Sequence, residues 1–478
     1  MRTFRSALAR TAALEAPRVL AAAAACLAAG GCADRMYLMP TPNIYLDPRW
    51  DPFKEVRPEL QTDRVEVLYV TDRAPTRSEP GKWEYGEDRS RSAAFGTATV
   101  RFGEGLTWDV LLQASRSAAR PREIELHMIQ VQETARFDPT PPSLVATAAS
   151  MAEAPTEPAS APRGTPQERQ FLEELSRRLA GAERKDVFLY VHGFDDTFKD
   201  AVLTAAEVWH FLAREGVPVC YTWPVGIGGL EAYLYTISST DFTVFHLKQA
   251  IRLIASCPDV HRIHLLAHSR GTAALMDAMR ELYLEGWSTP GGLAQLKLGT
   301  CILAAPDIDF DVVVERDSTE RIGRAVDRVA IYYSEEDKAL KLSRWLFGGT
   351  ERLGDLDPRL FSKDEIERLR GNERSQLISA RVTDLGDFNH TYFRSSPAVS
   401  SDMILLLRYG CQPGVAGGRP LSTSPQGLWR VVDGYPGPDW TPPACEPDRQ
   451  PYPPPPPSAA AAPAAPAASA PPTQGASR

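Results

Sequence analysis

The sequence contains no lysine- or arginine-rich run, and its formal net charge is −8. Phosphate backbones are gripped by clustered basic side chains, so DNA and RNA are not expected partners. There is no CxxC pair, no HExxH and no other metal-ligand spacing, so neither a metal nor another cofactor is expected. No apolar run reaches the ~20 residues that cross a bilayer as a helix. No internal repeat points to a solenoid or a propeller. Histidine is also scarce: there are eight, and only His390 follows position 269.

What is present is a chain of 478 residues, 43% hydrophobic and 24% charged, long enough for one large core with appendages. Its 41 prolines are too many for a folded domain unless they are concentrated. They gather in residues 138–164, read as a disordered insertion, and in 447–478, read as an extended Pro/Ala-rich tail. At the start, Arg2, Arg5, Arg10 and Arg18 precede the apolar, alanine-rich run 19–29, the pattern of a cleavable signal peptide over 1–31. Ala29-Gly30-Gly31-Cys32 looks like a bacterial lipobox, although Leu27 lies further from the cysteine than the usual apolar position. Lipidation at Cys32 is therefore expected, anchoring the protein at the cell envelope on the periplasmic side.

An oxidising compartment gives the remaining cysteines different expected fates. Cys220 and Cys301 sit in apolar, strand-like runs and read as buried small hydrophobes. Cys411 and Cys445 flank a Pro/Gly-rich stretch and form a possible disulfide, while five cysteines after Cys32 leave at least one thiol over.

Residues 32–62, rich in Pro, Asp and aromatics, read as an extended tether. Residues 65–71, 96–102 and 124–132 read as strands within a 63–137 segment. Thr165-Pro166-Gln167-Glu168 is a capping box, with Phe171, Leu172, Leu175 and Leu179 on one helical face and a stop at Gly181. Residues 186–191 (DVFLYV) are continuously apolar, as a parallel strand covered on both faces must be. Further units follow: helix 200–214, strand 218–222, helix 241–256, strand 263–267, helix 271–284, strand 301–305, a helix from 311, strand 329–333, strand 377–383 and helix 399–409. Parallel strands need crossover helices, so these units predict an α/β fold over 165–410: a mostly parallel, doubly wound sheet with helices on both faces. A C-terminal extension, 411–446, precedes the tail.

The sharpest chemical signal is Ala267-His268-Ser269-Arg270-Gly271, between a strand and a helix. A serine on such a tight turn stands above the sheet edge, where the following helix favours developing negative charge; small neighbours are required, and Gly271 and Ala267 supply them. An acyl-serine mechanism on this architecture orders its residues as nucleophile, acid, histidine, which selects His390 as general base. Asp337, after the penultimate strand, is the leading acid, with Asp307, Asp309 and Glu336 as rivals. The backbone N–H of Arg270 and that of Phe194, in His192-Gly193-Phe194 after DVFLYV, are the expected oxyanion donors. His192 and His268 read as packing residues.

Together FLYVHGFDDTFKDAV, YTWP, LLAHSRGT, ILAAPDID, YYSEEDKAL and FNHTYF resemble a family of bacterial α/β-hydrolases of unknown function described as esterase/lipase-like. The resemblance extends upstream to VLYVTDRAP, FGTATV and MPTPNIY. It implies the α/β-hydrolase fold and a Ser-His-acid hydrolase with motif positions at Ser269, Asp337 and His390. The chain departs from the family at Val225 and in the 138–164 insertion. The expected activity is hydrolysis of a small-molecule or lipid carboxylic ester. The alternatives are a non-catalytic envelope lipoprotein that binds through the same fold and an acyltransferase. Residues 221–235 and 345–375 are the expected pocket walls.

Overall fold

Every residue of β4 (Asp186–Val191) is buried, and its side chains alternate between two cores. Phe188 and Tyr190 face one, Val187, Leu189 and Val191 the other. A strand with no solvent face cannot alternate apolar with polar, which is why DVFLYV reads as one run. The computed structural model describes residues 35–139, 164–287, 292–320, 322–372 and 374–441. The signal peptide, Cys32, nearly all of the 138–164 insertion, Cys445 and the tail lie outside the described residues.

The chain opens with β1 (Arg64–Glu79), β2 (Lys82–Phe102), α1 (Trp108–Ala114) and β3 (Leu126–Arg136). After α2 (Pro166–Ala180) and β4 come α3 (Phe198–Phe211), β5 (Val217–Thr222), α4 (Leu230–Ser256), β6 (Arg262–His268), α5 (Gly271–Trp287), β7 (Leu298–Ala304), α6 (Phe310–Glu320) and β8 (Arg328–Tyr333). The set ends with α7 (Lys338–Leu346), α8 (Lys363–Gly371), β9 (Ser375–Arg381), α9 (Pro397–Tyr409), β10 (Ser422–Thr423) and β11 (Trp429–Val432). The 11-stranded sheet runs β10-β11-β9-β8-β7-β6-β4-β5-β1-β2-β3. From β11 across to β1 all neighbours are parallel; the β1-β2-β3 meander and β10 are antiparallel. This is the α/β-hydrolase fold.

Helices α3 and α9 cover one face of the sheet, and α2, α4 and α5 the other. The Thr165–Glu168 capping box starts α2 as expected, and a second box, Thr197 with Asp200, starts α3 two residues before the expected position. Chain order reverses at β4, with β5 on one side and β6 on the other. Ligands in open parallel sheets bind at such a reversal, outside the carboxyl ends of the strands.

Three sequence expectations are corrected. Helix α4 starts at Leu230, not 241, because Gly229 (φ +58°) turns the chain directly into it. The upstream strands are longer than predicted, since β1 and β2 continue past the sheet as a hairpin pairing Ser78 with Trp83. Residues 35–62 are not a tether. Leu38, Met39, Ile44, Tyr45, Trp50 and Phe53 are buried against α3 and α9, the Leu38 N–H donates to the Ile124 carbonyl, and the Met39 N–H donates to the buried Glu207 carboxylate at 2.8 Å. Aromatics and prolines that look like linker composition are here core residues on three short 3-10 turns. The C-terminal extension is likewise integrated: β11 pairs with β9, and fully buried Arg419 grips fully buried Asp402 of α9 at 2.6 Å.

This packing predicts that a chain beginning at residue 63 exposes the apolar surface under Ile44, Tyr45 and Phe53 and becomes insoluble or loses its cooperative thermal transition. A soluble, cooperatively melting product would restore the tether reading.

Candidate active site

Strand β6 delivers Ser269 to the switch point. The serine has φ +51°, a left-handed conformation costly for a residue with a Cβ, and is 7% exposed. Its N–H donates to the Ala304 carbonyl of β7, and its carbonyl accepts from the Thr272 N–H as α5 begins. The turn has room only for glycine at 271, where a Cβ would lie 2.1 Å from the His192 carbonyl oxygen. A Cβ at Gly193 would come within 2.9 Å of the Ser269 Cβ. The turns after β4 and β6 are thus pressed together. Neither the Phe194 N–H nor the Arg270 N–H donates to any acceptor among the described residues, whereas the Gly193 N–H between β4 and Phe194 is used by Asp196 Oδ2 at 3.0 Å.

His390 arrives from the other side of the sheet. Its loop is bent by two left-handed residues, Phe388 (φ +50°) and Asn389 (φ +58°). The Asn389 amide donates to the Glu336 carbonyl at 3.0 Å, tying this loop to the one after β8. His390 Nδ1 lies 2.6 Å from Asp337 Oδ2, and the two side chains are 12% and 0% exposed. Asp337 Oδ1 accepts the Leu340 N–H at 2.9 Å as the N-cap of α7, so both carboxylate oxygens are committed and its orientation is fixed. Below His390, the His268 ring packs 4.8 Å from it and 4.7 Å from Phe393. His268 Nε2 lies 3.2 Å from the His390 carbonyl oxygen, which can only accept. The imidazole of His390 is therefore held beside His268, the last residue of β6 and the neighbour of Ser269.

The rival acids are engaged elsewhere. Asp307 is buried, with Oδ1 accepting from Arg352 Nε (2.8 Å) and Ser343 Oγ (2.7 Å) and Oδ2 from the Tyr233 hydroxyl. Asp309 caps the start of α6 through the Asp311 N–H, and Glu336 is exposed and paired with Arg381. Tyr233 packs edge-on against Phe194 at 5.1 Å and lies 6.2 Å from Phe347, so both expected wall segments meet beside the site.

Charge follows this geometry. Burial disfavours the His390 cation, but the Asp337 carboxylate outweighs it by charge and hydrogen bond, and the imidazole pKa is raised above its ordinary value. His192 and His268 have no hydrogen-bonded carboxylate among the described residues, Asp196 Oδ2 lying 3.9 Å from His192 Nδ1, and burial, reinforced by the nearby Arg73 and His390 respectively, pushes both well down. Both stay neutral and structural: His192 Nδ1 lies 2.8 Å from the Gly193 oxygen, and Nε2 accepts the Trp223 N–H at 3.0 Å. Burial would raise Asp307, yet Arg352 and Arg270 hold its carboxyl below the usual range.

Among the expected cysteines, Cys220 and Cys301 are buried, and burial pushes both thiols up. Cys411 is buried too, and its expected partner Cys445 is outside the described residues. Sequence reading placed Tyr233 and Arg352 only within expected pocket-wall segments and gave no part to Ser343, although the three converge on Asp307, nor to Arg73. A scattered polar cluster leaves no local motif, although the Asp-Arg at the end of the first strand was visible.

The His390–Asp337 pair makes a prediction independent of any activity. Histidine NMR on the folded chain should show His390 titrating above the ordinary ~6.5 and His192 and His268 well below it. Asp337→Asn removes the carboxylate that stabilises the cation, so the His390 pKa should drop; a His390 titration at or below ~6.5 in the unmutated chain would contradict the geometry.

Comparison with known proteins now bears on the whole. No curated protein matches the chain. A solved structure of a hydrolase from Oleispira antarctica is similar at 12% identity over 47% of this chain and 84% of that one, with a TM-score of 0.19, too loose a likeness to carry any argument. The family described as "Alpha/beta hydrolase of unknown function (DUF900)" matches residues 167–408, which span α2 to the end of α9 and hold every residue of the candidate site. With half of its length matched, this chain belongs to that α/β-hydrolase family.

Proposed function

We propose that the protein is a serine hydrolase that cleaves carboxylic esters through an acyl-serine intermediate. The observation that carries this reading is the buried His390–Asp337 pair, formed by residues 53 positions apart, with the His390 ring 4.8 Å from that of His268, the residue before Ser269. With Nδ1 occupied by Asp337, Nε2 is the nitrogen left to exchange protons. Ser269 Oγ attacks the ester carbonyl carbon and its proton passes to His390 Nε2. The carbonyl oxygen becomes negative against the Phe194 and Arg270 N–H groups, donors of a type whose single loss costs ~2.7–4 kcal/mol. As the carbon–oxygen bond to the alcohol breaks, Nε2 returns the proton to the leaving oxygen. Water then repeats the sequence on the acyl-serine, releasing the acid and restoring the hydroxyl. The aromatic side chains of Phe194, Tyr233 and Phe347 supply an apolar wall suited to an acyl or aryl group.

The proposal includes an envelope location, through lipid on Cys32. No helix among the described residues is long and apolar enough to cross a membrane. Because residues from 36 onward are bonded to the edge of the domain, Cys32 is separated from the folded body by three residues, a span of at most roughly 10 Å. A lipidated Cys32 would hold the domain against the bilayer surface.

Protein lacking residues 1–32 should release p-nitrophenol from short acyl esters and label with a fluorophosphonate, and Ser269→Ala should abolish both. The acid limb of kcat/KM should lie above pH ~6.5, because only neutral His390 accepts the serine proton and its pKa is raised. Labelling that is absent, or that persists in Ser269→Ala, overturns the enzyme reading. For the anchor, Cys32→Ser in the full chain should move the protein from the membrane to the soluble fraction; unchanged fractionation excludes that thiol.

A further inference from the structure

Arg73 sits at the end of the sheet portion of β1 and is 1% exposed. Burying a guanidinium is costly unless it is paired, and two other buried arginines here are paired with carboxylates, Arg419 with Asp402 and Arg352 with Asp307. Arg73 has no carboxylate within ion-pair distance among the described residues. Its fork reaches backbone and a neutral ring instead: Nη1 donates to the Gly86 carbonyl at 2.9 Å, and Nη2 donates to the Asp196 carbonyl at 2.7 Å and lies 3.3 Å from His192 Nε2. Nε has no partner.

Two of those contacts fall on either side of the turn that carries the Phe194 N–H. Its start is fixed by His192, whose carbonyl accepts from Trp223 Nε1 at 2.9 Å. Its middle is fixed by the Asp196 side chain on the Gly193 N–H and by the Gly228 N–H on Asp195 Oδ1 at 2.6 Å, with Asp195 itself left-handed (φ +65°). Its far end, the Asp196 peptide, is held by Arg73. A neutral or apolar residue would fill the same space without the desolvation cost. A cation directed at this carbonyl orients the peptide planes of residues 193–196 and adds positive potential behind the place where an oxyanion forms. A planar fork can donate to the Gly86 and Asp196 carbonyls together, which an ammonium on a flexible stem does poorly.

We propose that Arg73 is a positioning residue for the acyl-transfer step: its guanidinium holds the 193–196 turn so that the Phe194 N–H is aligned for the developing oxyanion. This rests on the serine-hydrolase reading. It implies that Arg73 acts on the transition state and not on substrate binding, since it reaches the site only through the turn.

The test compares wild type with Arg73→Lys, which keeps the charge without the fork, Arg73→Met, which removes both, and Arg214→Met. Arg214 is a second buried arginine that clamps carbonyls, those of Leu60 and Thr62, at the far end of α3. The readouts are kcat and KM on a p-nitrophenyl ester and the second-order rate of fluorophosphonate labelling. Both Arg73 variants should lose about 10²-fold in kcat, consistent with loss of an oxyanion donor, and slow in labelling to match, with KM within about twofold and Arg73→Met the more affected. Arg214→Met should keep kcat within about twofold. Folded Arg73 variants with wild-type kcat and labelling rate, or a loss confined to KM, overturn the inference. If Arg73→Met does not fold, Arg73→Lys decides by the same readouts. A wild type that never labels defeats the serine-hydrolase reading, and this inference falls with it; a wild type that labels no faster than the Arg73 variants defeats this inference alone.

Discussion

The site depends on two turns that meet with no spare volume. The bend after β4 and the bend after β6 approach so closely that a single added carbon at Gly271 or Gly193 would collide with the opposing chain. This contact couples the proposed nucleophile to the proposed oxyanion donors: Ser269 cannot shift without moving the turn that presents the Phe194 N–H. The sheet makes the arrangement possible because β4 and β6 are hydrogen-bonded neighbours, from Asp186↔Arg262 to Val191↔Ala267, so their ends are level. The chain reversal at β4 then leaves a crevice between crossovers that depart to opposite faces. The left-handed Ser269 persists because its N–H and carbonyl are both bonded, one to β7 and one to the first turn of α5.

A second constraint is electrostatic. An imidazole this enclosed should favour its neutral form, as His192 and His268 do. The Asp337 carboxylate, itself without exposure and pinned as a helix cap, leads in reversing the preference at His390, with Asp307 and Asp196 adding to it. The same bond fixes the tautomer, since a carboxylate accepts from Nδ1–H and leaves Nε2 facing away from Asp337. Tautomer selection and the leading stabilisation of the cation thus come from one 2.6 Å contact. Asp307, equally buried and near in sequence to the β7 end, cannot substitute because Arg352, Ser343 and Tyr233 consume both of its oxygens.

Much of this was legible in the residues, and the exceptions have physical causes. The parallel sheet was readable because buried strands leave continuous apolar runs and because capping boxes such as Thr165–Glu168 mark helix starts locally. Ser269 and His390 were readable because a serine on a strand-to-helix turn and a lone downstream histidine are sequence-local facts. Asp337 could be ranked above Asp307 only by its place in the chain; what separates them is which arginines stand nearby, and that is tertiary. Residues 35–62 misled because an irregular segment packs by shape rather than by period: Ile44, Tyr45 and Phe53 sit on 3-10 turns, where neither a 3.6- nor a 2-residue pattern can form. The early start of α4 was missed because Leu230, Ala232 and Leu234 are offered partly to solvent, so the first turns carry no apolar stripe.

The loops above the sheet bury apolar side chains such as Trp223, Val225 and Phe393, and enclosed charge adds direction to that packing. The ion pairs at this end are enclosed: Arg352 on Asp307 under the pocket wall, and Arg394 on Glu207, which also receives the Met39 N–H and so ties the N-terminal segment to the helix next to His390. Buried pairs of this kind add little net stability over an apolar equivalent, but removing one partner strands the other charge, so each fixes one loop geometry against its alternatives. In that setting Arg73, like Arg214, is desolvated to grip carbonyls rather than a carboxylate. What sets Arg73 apart is its place: its charge, met by Asp72, Asp196 and Glu87 only from beyond ion-pair distance, stands behind the turn that carries the Phe194 N–H.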